Sequence, residues 1–404
     1  MSNLLQQKIF KLKGCVQHYA WGGFEFIPKL IGFNNSDSKP CAEYWMGAHP
    51  SAPAKLQIGN ETYALNDLIK NYPEQFLTKE IIEKFGELPF LYKVLDVKEM
   101  LSIQVHPTKE EAIKGFEKEE LAGIPLNAPN RNYKDKNHKP EVMIALSEFW
   151  LLHGFMQLSE IERRLTDIKE LNVLLHVFQK EGLKALYQFV MEMKQEDVDV
   201  ILKPLVKRAI ARKSNNELDK SMPGWWVSKL FNNDDEIKNI DRGVFSLYLF
   251  NLICLQKGEG IFQAAGIPHA YLEGQNIELM ANSDNVLRGG LTPKHVDVNE
   301  LLKHTLCKPI IPKILKGENR GEVENTYECP VDDFEISKIN LSADKIYHAL
   351  STSPEIFIVI EGGAIFNGEL VNLNVKRGDC ILVLPNENYS IASSGNCELY
   401  KAYC

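Results

Sequence analysis

The sequence predicts a mainly β chain with an inserted α-helical domain, its strands grouped as two jelly-roll barrels. Three observations carry this. Short strand-like runs cut by turns fill the chain to about residue 150, and apolar positions then recur at spacings of three and four. Strand-like runs return after Asp241, and there a turn-and-strand pattern recurs 120 residues later. At about 150 residues per domain, 404 residues correspond to two or three domains.

Taken in order, Lys55–Ile58, residues 90–95 and the alternating residues 101–106 read as strands, punctuated by Pro89, Pro107, Pro125, Pro129 and Pro140. Ser159, with Glu162 three residues on, reads as a capping box that opens a helix. Leu171, Leu174, Leu175, Phe178, Leu183, Leu186, Phe189 and Val190 supply the apolar stripe of three or more helices reaching about Ile210. The segment ends in the turn-rich residues 213–224. Residues 245–255 read as a strand, as do Glu355–Glu361, 364–366 and 371–375. Residues 257–269 (KGEGIFQAAGIPH) align with residues 377–389 (RGDCILVLPNENY): a basic–Gly–acidic turn, an apolar strand and a polar turn. In cupin-like folds this unit carries a metal-ligand position. His269 stands where the second copy has Tyr389, so one barrel is expected to bind metal and the other not. The expected division is residues 1–155 for the first part of the catalytic barrel and 156–238 for the helical domain. Residues 239–310 complete the catalytic barrel, and 311–404 form the second barrel.

Composition excludes several classes. With 46 basic and 54 acidic residues the net charge is −8, which opposes non-specific binding to nucleic acid or an anionic membrane. An anionic small substrate then requires a local basic pocket. Eight scattered cysteines without a C-x-x-C pair speak against disulfides or a thiolate zinc module. No signal-peptide core follows the lysine-bearing residues 1–14, and the longest apolar run, 244–255, is too short to span a bilayer. A soluble protein of the reducing cytoplasm is expected.

Four constellations can carry chemistry. Gln104 and His106, two apart on a strand, share a face. His138, Lys139 and Glu141 crowd around Pro140, and His269 and Tyr271 follow the turn at Gly266. One carbonyl oxygen (Gln104), two imidazoles (His106, His269) and one carboxylate (Glu141) suit one Zn²⁺ or a similar divalent ion. With one anionic ligand such a site keeps positive charge and favours Lewis-acid work. Residues 276–294 add Glu278, Asp284, Arg288 before two glycines, and Lys294, their charges interleaved with apolar residues. Lys93 is a further charge inside an apolar strand.

These residues resemble the type I phosphomannose isomerases. The resemblance rests on residues 19–22 (YAWG), 42–50 (AEYWMGAHP), 88–95 (LPFLYKVL), 101–107 (LSIQVHP), 137–141 (NHKPE) and 266–294, in the family's order. It implies a zinc enzyme of two cupin-like barrels plus a helical domain, with Gln104, His106, Glu141 and His269 as ligands and Arg288 as the active-site arginine. Lys93, His138, Lys139, Tyr271, Glu278, Asp284 and Lys294 fall on pocket positions. The implied reaction interconverts mannose 6-phosphate and fructose 6-phosphate through a cis-enediol, feeding activated-sugar synthesis or glycolysis. Lys139 or Glu278 is the expected base, with Asp284 also in the catalytic set and His138 as a ring-opening group. Lys93, Ser102 and Lys294 are expected at the phosphate, with Trp21 and Tyr271 also contacting substrate. The partner is a small sugar phosphate, and the chain is expected to be a monomer. A cupin dioxygenase would not need the cluster of Lys93, Arg288 and Lys294. A sugar-phosphate-binding regulator would not need zinc ligands together with Arg288.

Overall fold

A computed structural model describes residues 6–231 and 237–404; the first five residues of the lysine-bearing N-terminal stretch lie outside the described residues. The strand Glu355–Glu361 shows why the layers stack as they do. Ile356, Ile358 and Ile360 join one core with Tyr92, Val94, Ile277 and Leu279. Phe357 and Val359 join another with Phe366, Tyr389 and Ile391. Alternate residues of a strand face opposite ways, so a continuous apolar run marks a strand buried on both faces. Each such side chain withdrawn from water stabilises the fold by about 1.5–3 kcal/mol. This strand belongs to a nine-stranded sheet that forms the middle layer. On one face it meets a ten-stranded sheet and on the other a four-stranded sheet of Ile346–Leu350, Asn388–Ala392, Gly363–Asn367 and Asn372–Lys376.

The β-rich architecture with a helical region is as expected, but the sheets remain open and do not close into barrels. The middle sheet also draws on both ends of the chain: Ile9–Lys13 pairs with Cys380–Val383 on one side and Lys55–Ile58 on the other. These early strands lie in the sheet of the C-terminal strands, because Phe10, Leu12 and Leu56 complete its core.

The helical segment comprises Leu158–Asp167, Leu175–Glu192, Gln195–Ser214 and Pro223–Leu230. Leu186, Tyr187, Val190 and Trp226 pack with Leu152, Phe155 and Leu272, so this segment shares its core with the ten-stranded sheet. Three details differ from the sequence reading. Ser159 is no cap: the first helix starts at Leu158 behind Gln157, and Glu162 instead accepts from Gln179 at 2.7 Å. Phe189 lies on the exposed side of its helix. Residues 245–255 split into a helix, Gly243–Leu249, and a strand, Phe250–Leu255. That helix is buried on every side, so its apolar run carries no period to distinguish it from a strand. Of residues 101–106 only Gln104–Val105 is a strand, since Leu101 and Ile103 donate singly to Tyr271 and Gly290.

The repeated unit is real in the backbone. Gly258 (φ +88°) and Gly378 (φ +86°) make the same left-handed turn before Gly260–Gln263 and Cys380–Val383. A Cβ at 258 meets only the Lys338 ammonium at 3.8 Å, whereas one at 378 would lie 1.9 Å from the Leu30 carbonyl. Gly258→Ala should therefore cost about 1–2 kcal/mol of unfolding free energy from backbone strain alone. Gly378→Ala should cost more; equal losses in urea titrations would show that the Leu30 backbone yields freely.

Candidate active site

The ten-stranded sheet gathers the site. His269 begins the strand His269–Ala281 and lies opposite Gln104, which in turn lies opposite Arg288. Glu141 begins Glu141–Ala145 and pairs with Met280 and Gln263. His106, Glu141 and His269 converge with their ligand-type atoms within 4.8 Å of one another, all buried. His106 Nε2 is 3.5 Å from Glu141 Oε1, and His269 Nε2 is 3.3 Å from Glu141 Oε2. Each ring spends its other nitrogen on a backbone carbonyl: His106 Nδ1 donates to Asn285 at 2.8 Å and His269 Nδ1 to Ile267 at 3.0 Å. Because a carbonyl only accepts, each Nδ1 carries a proton, and a neutral ring turns its Nε2 lone pair toward the carboxylate. Burial lowers the His106 pKa to about 4, so the ring is neutral at neutral pH. Its Nε2 is buried without a hydrogen-bond partner. An orphaned lone pair, a second imidazole and a carboxylate fit a divalent metal such as Zn²⁺, with the carbonyls of Asn285 and Ile267 fixing the tautomers.

Beside this cluster lies a buried charge network. The strand Phe90–Val97 turns Leu91, Lys93 and Leu95 toward the site and Phe90, Tyr92 and Val94 into the core. Lys93 Nζ lies 3.0 Å from Glu278, its register partner, and 3.6 Å from Glu43. Burial opposes its charge, but Glu43, Glu278 and Glu141 outweigh that and hold the ammonium above the ordinary lysine range. The Glu278 carboxyl is raised, first by burial and then by Glu141 and Glu43, against the pull of Lys93. Burial would also raise Glu141, while the Lys139 ammonium beside it favours its ionised form. Lys139 Nζ stands 3.6 Å from Glu141.

Two connected cavities lie over these groups. The inner one, about 60 Å³, is bounded by Gln104, Glu141, His269, Tyr271 and Glu278. The outer one, about 900 Å³, is lined by Trp21, Ser102, Lys134, Asp284, Arg288 and Lys294, and shares Lys93, Gln104 and Lys139 with the inner. Most expected site residues thus meet. His138 does not line either cavity: its Nε2 lies 3.0 Å from both carboxylate oxygens of Asp333, which faces it from the C-terminal part of the chain. Asp284 is half-exposed, and the hydrogen bond from His49 lowers its pKa. The sequence reading passed over Glu43, Trp45, Lys134 and Asn285. Glu43 carries the same signal as Lys93, a charge in a wholly buried strand. Asn285 joins Lys134 and Asp135 to the loop bearing His106's acceptor through its side chain, which no spacing announces.

At the second copy of the repeat the Tyr389 hydroxyl donates to Glu355 at 2.6 Å. Lys401 Nζ lies 2.8 Å from Glu324 and 3.9 Å from Glu355. Here an ammonium neutralises the buried carboxylates. The His106, Glu141 and His269 group is the one metal-type cluster among the described residues.

A buried His–Glu–His centre at the floor of a basic cavity, on stacked β-sheets, defines a metal-dependent enzyme for a small anionic substrate. Comparison with known proteins narrows the class. Residues 9–158 match the family model for phosphomannose isomerase type I, catalytic domain. The chain is 37% identical over 401 residues to mannose-6-phosphate isomerase of Escherichia coli, covering 97% of this chain and 99% of that one. It is 32% identical to the enzyme of Rattus norvegicus, covering 98% and 99%. The fold matches a crystal structure of mannose 6-phosphate isomerase from Salmonella typhimurium bound to its substrate (fructose 6-phosphate) and zinc, with TM-score 0.87, 34% identity and 98% and 99% coverage. The chain belongs to the type I phosphomannose isomerase family.

Lys93 is the counter-charge on which the network rests. Lys93→Met should destabilise the protein by about 3–5 kcal/mol at pH 7, because two carboxylates stay buried without their cation. The Glu278 carboxyl, already raised by burial, then climbs further above the unfolded value of about 4.3, so the deficit is largest at neutral pH and shrinks as pH falls toward that value. Unfolding free energies at pH 7 and pH 5 check the sign; a deficit that does not change with pH would place the loss in packing.

Proposed function

We propose that this chain interconverts mannose 6-phosphate and fructose 6-phosphate, with one zinc held by His106, Glu141, His269 and Gln104. The observation that carries the reading is the pair of imidazole Nε2 atoms facing one buried carboxylate below a cavity lined by Lys134, Arg288 and Lys294. The Salmonella relative, bound to fructose 6-phosphate and zinc, supports it. Bound zinc supplies a Lewis acid that lowers the cost of negative charge on sugar oxygens.

The chain's own residues divide the remaining work. The reaction moves a proton between C1 and C2 through a cis-enediol, which needs a base of moderated strength near those carbons. Glu278 fits: burial and neighbouring carboxylates raise its proton affinity, and it borders the inner cavity. Lys139 is the alternative, lining both cavities. Arg288, opposite Gln104 in the register, offers a guanidinium near the developing negative charge. Lys294, Lys134 and Ser102, in the outer cavity, are suited to the phosphate. Lys93 is not, because Glu43 and Glu278 already engage its ammonium. Tyr271 borders the inner cavity and packs edge-on against Phe149, and Trp21 forms part of the outer wall. His138, bonded to Asp333, is assigned no proton transfer.

Prolonged chelation should abolish isomerisation and added Zn²⁺ should restore it; an unchanged rate in protein shown to be metal-free would refute the Lewis-acid role. His269→Ala should lose metal and Tyr389→Phe keep it, as read by elemental analysis. Arg288→Ala should lower kcat by about two to three orders of magnitude with normal zinc content. Near-normal kcat with a much higher KM would instead make Arg288 a phosphate anchor.

The base is identified by isotope exchange. In D₂O the parent enzyme should place solvent deuterium in product. Glu278→Gln should lose that exchange if the carboxylate is the base, with Lys139→Ala slowed but still exchanging. The reverse pattern would assign the base to Lys139.

A further inference from the structure

Away from the active site, the helical segment encloses a cavity of about 420 Å³ whose lining includes four arginines: Arg163, Arg164, Arg208 and Arg212. In a chain of net charge −8 such a concentration is local. Carboxylates engage part of each guanidinium. Glu160 takes Arg163 at 2.6 Å and Arg164 at 3.4 Å, Glu170 takes Arg208 Nη2 at 2.6 Å, and Glu217 takes Arg212 Nε at 3.3 Å. Glu160 holds two nitrogens of Arg163 and Asp167 takes the third, so that guanidinium is held on two sides. The other three keep donors in hand, since a guanidinium has five N–H groups. Arg164 Nη1 is buried without a hydrogen-bond partner. That atom lies beneath the cavity surface, so an anion in the cavity would draw on the exposed nitrogens of Arg208 and Arg212.

Two further features point the same way. Tyr248 is buried and lines the cavity beside the arginines. Pro223 and Gly224, the first residues of the helix Pro223–Leu230, close another side, adding the positive end of a helix dipole. Forked donors, a hydroxyl and a helix N-terminus are the groups that recognise phosphate oxygens. Ile168, Leu205 and Met222 supply an apolar wall, and the volume exceeds that of a bare phosphate. We propose that the helical segment carries a second binding site, for a phosphorylated small molecule, in the cavity where Arg164, Arg208, Arg212 and Tyr248 converge.

Inorganic pyrophosphate is the probe, titrated calorimetrically into the full-length protein. Arg208 and Arg212 have side chains 41% and 44% exposed, so Arg208→Gln/Arg212→Gln should fold normally, as a melting curve would confirm. The double variant should lose one binding event, or weaken it at least threefold, while keeping any binding at the active site. Lys180→Gln/Lys184→Gln removes the same charge from an exposed face of the same segment, outside the cavity, and should leave the titration unchanged. A change below threefold in the arginine variant, or equal weakening in the lysine variant, overturns the proposal.

Discussion

The pairing of one strand, His269–Ala281, constrains everything at the active site. It hydrogen-bonds to Phe90–Val97, Glu141–Ala145, Phe149–Phe155 and Gln104–Val105. Lys93 therefore meets Glu278, Glu141 meets Met280, and Gln104 meets His269. A slip of one residue would turn each of these side chains to the opposite face. The strand changes partners at an irregularity between Tyr271 and Glu273, next to Gly274 (φ +129°). A Cβ there would lie 2.6 Å from the Glu148 carbonyl, so glycine allows the strand to bend across two sheet segments.

Register alone would bring together groups that repel. The floor holds the carboxylates of Glu43, Glu141 and Glu278 against the ammonium groups of Lys93 and Lys139, a balance one positive charge short of neutral. With a divalent cation the same floor becomes positive by one charge, the sign that an enediolate requires. Before any substrate arrives, the network is thus arranged to receive a cation, and afterwards an anion. The second copy of the repeat has settled the matter differently: Lys401 sits among Glu324, Glu355, Tyr347 and Tyr389, a covalently attached cation in place of an exchangeable one.

Much of this was legible in the residues. His106, Glu141 and His269 are recognisable as a donor set because their chemistry, as well as their spacing, is restricted, and Lys93 is conspicuous in an apolar strand. The repeat around Gly258 and Gly378 exposed the kinship of the two β regions. What could not be read depends on distant partners. His138 sits in a dense ionisable motif, but Asp333, 195 residues away, claims its ring. Asn285 acts through backbone groups and has no sequence signature. The helix Gly243–Leu249 is buried on all sides, so no periodicity reveals it. Open sheets rather than closed barrels follow from which strands find one another, and local pattern does not encode that.

The middle sheet places a demand on biosynthesis. Ile9–Lys13 leaves the ribosome well ahead of its partner Cys380–Val383, which emerges about 370 residues later, a delay of about 20–75 s at ordinary elongation rates. Lys55–Ile58 can cover one edge of that first strand early. The other edge, with Ile9 and Phe10 destined for opposite cores, must wait. A nascent chain built this way favours escort by a chaperone, and truncations near the C-terminus should be felt first at the N-terminus.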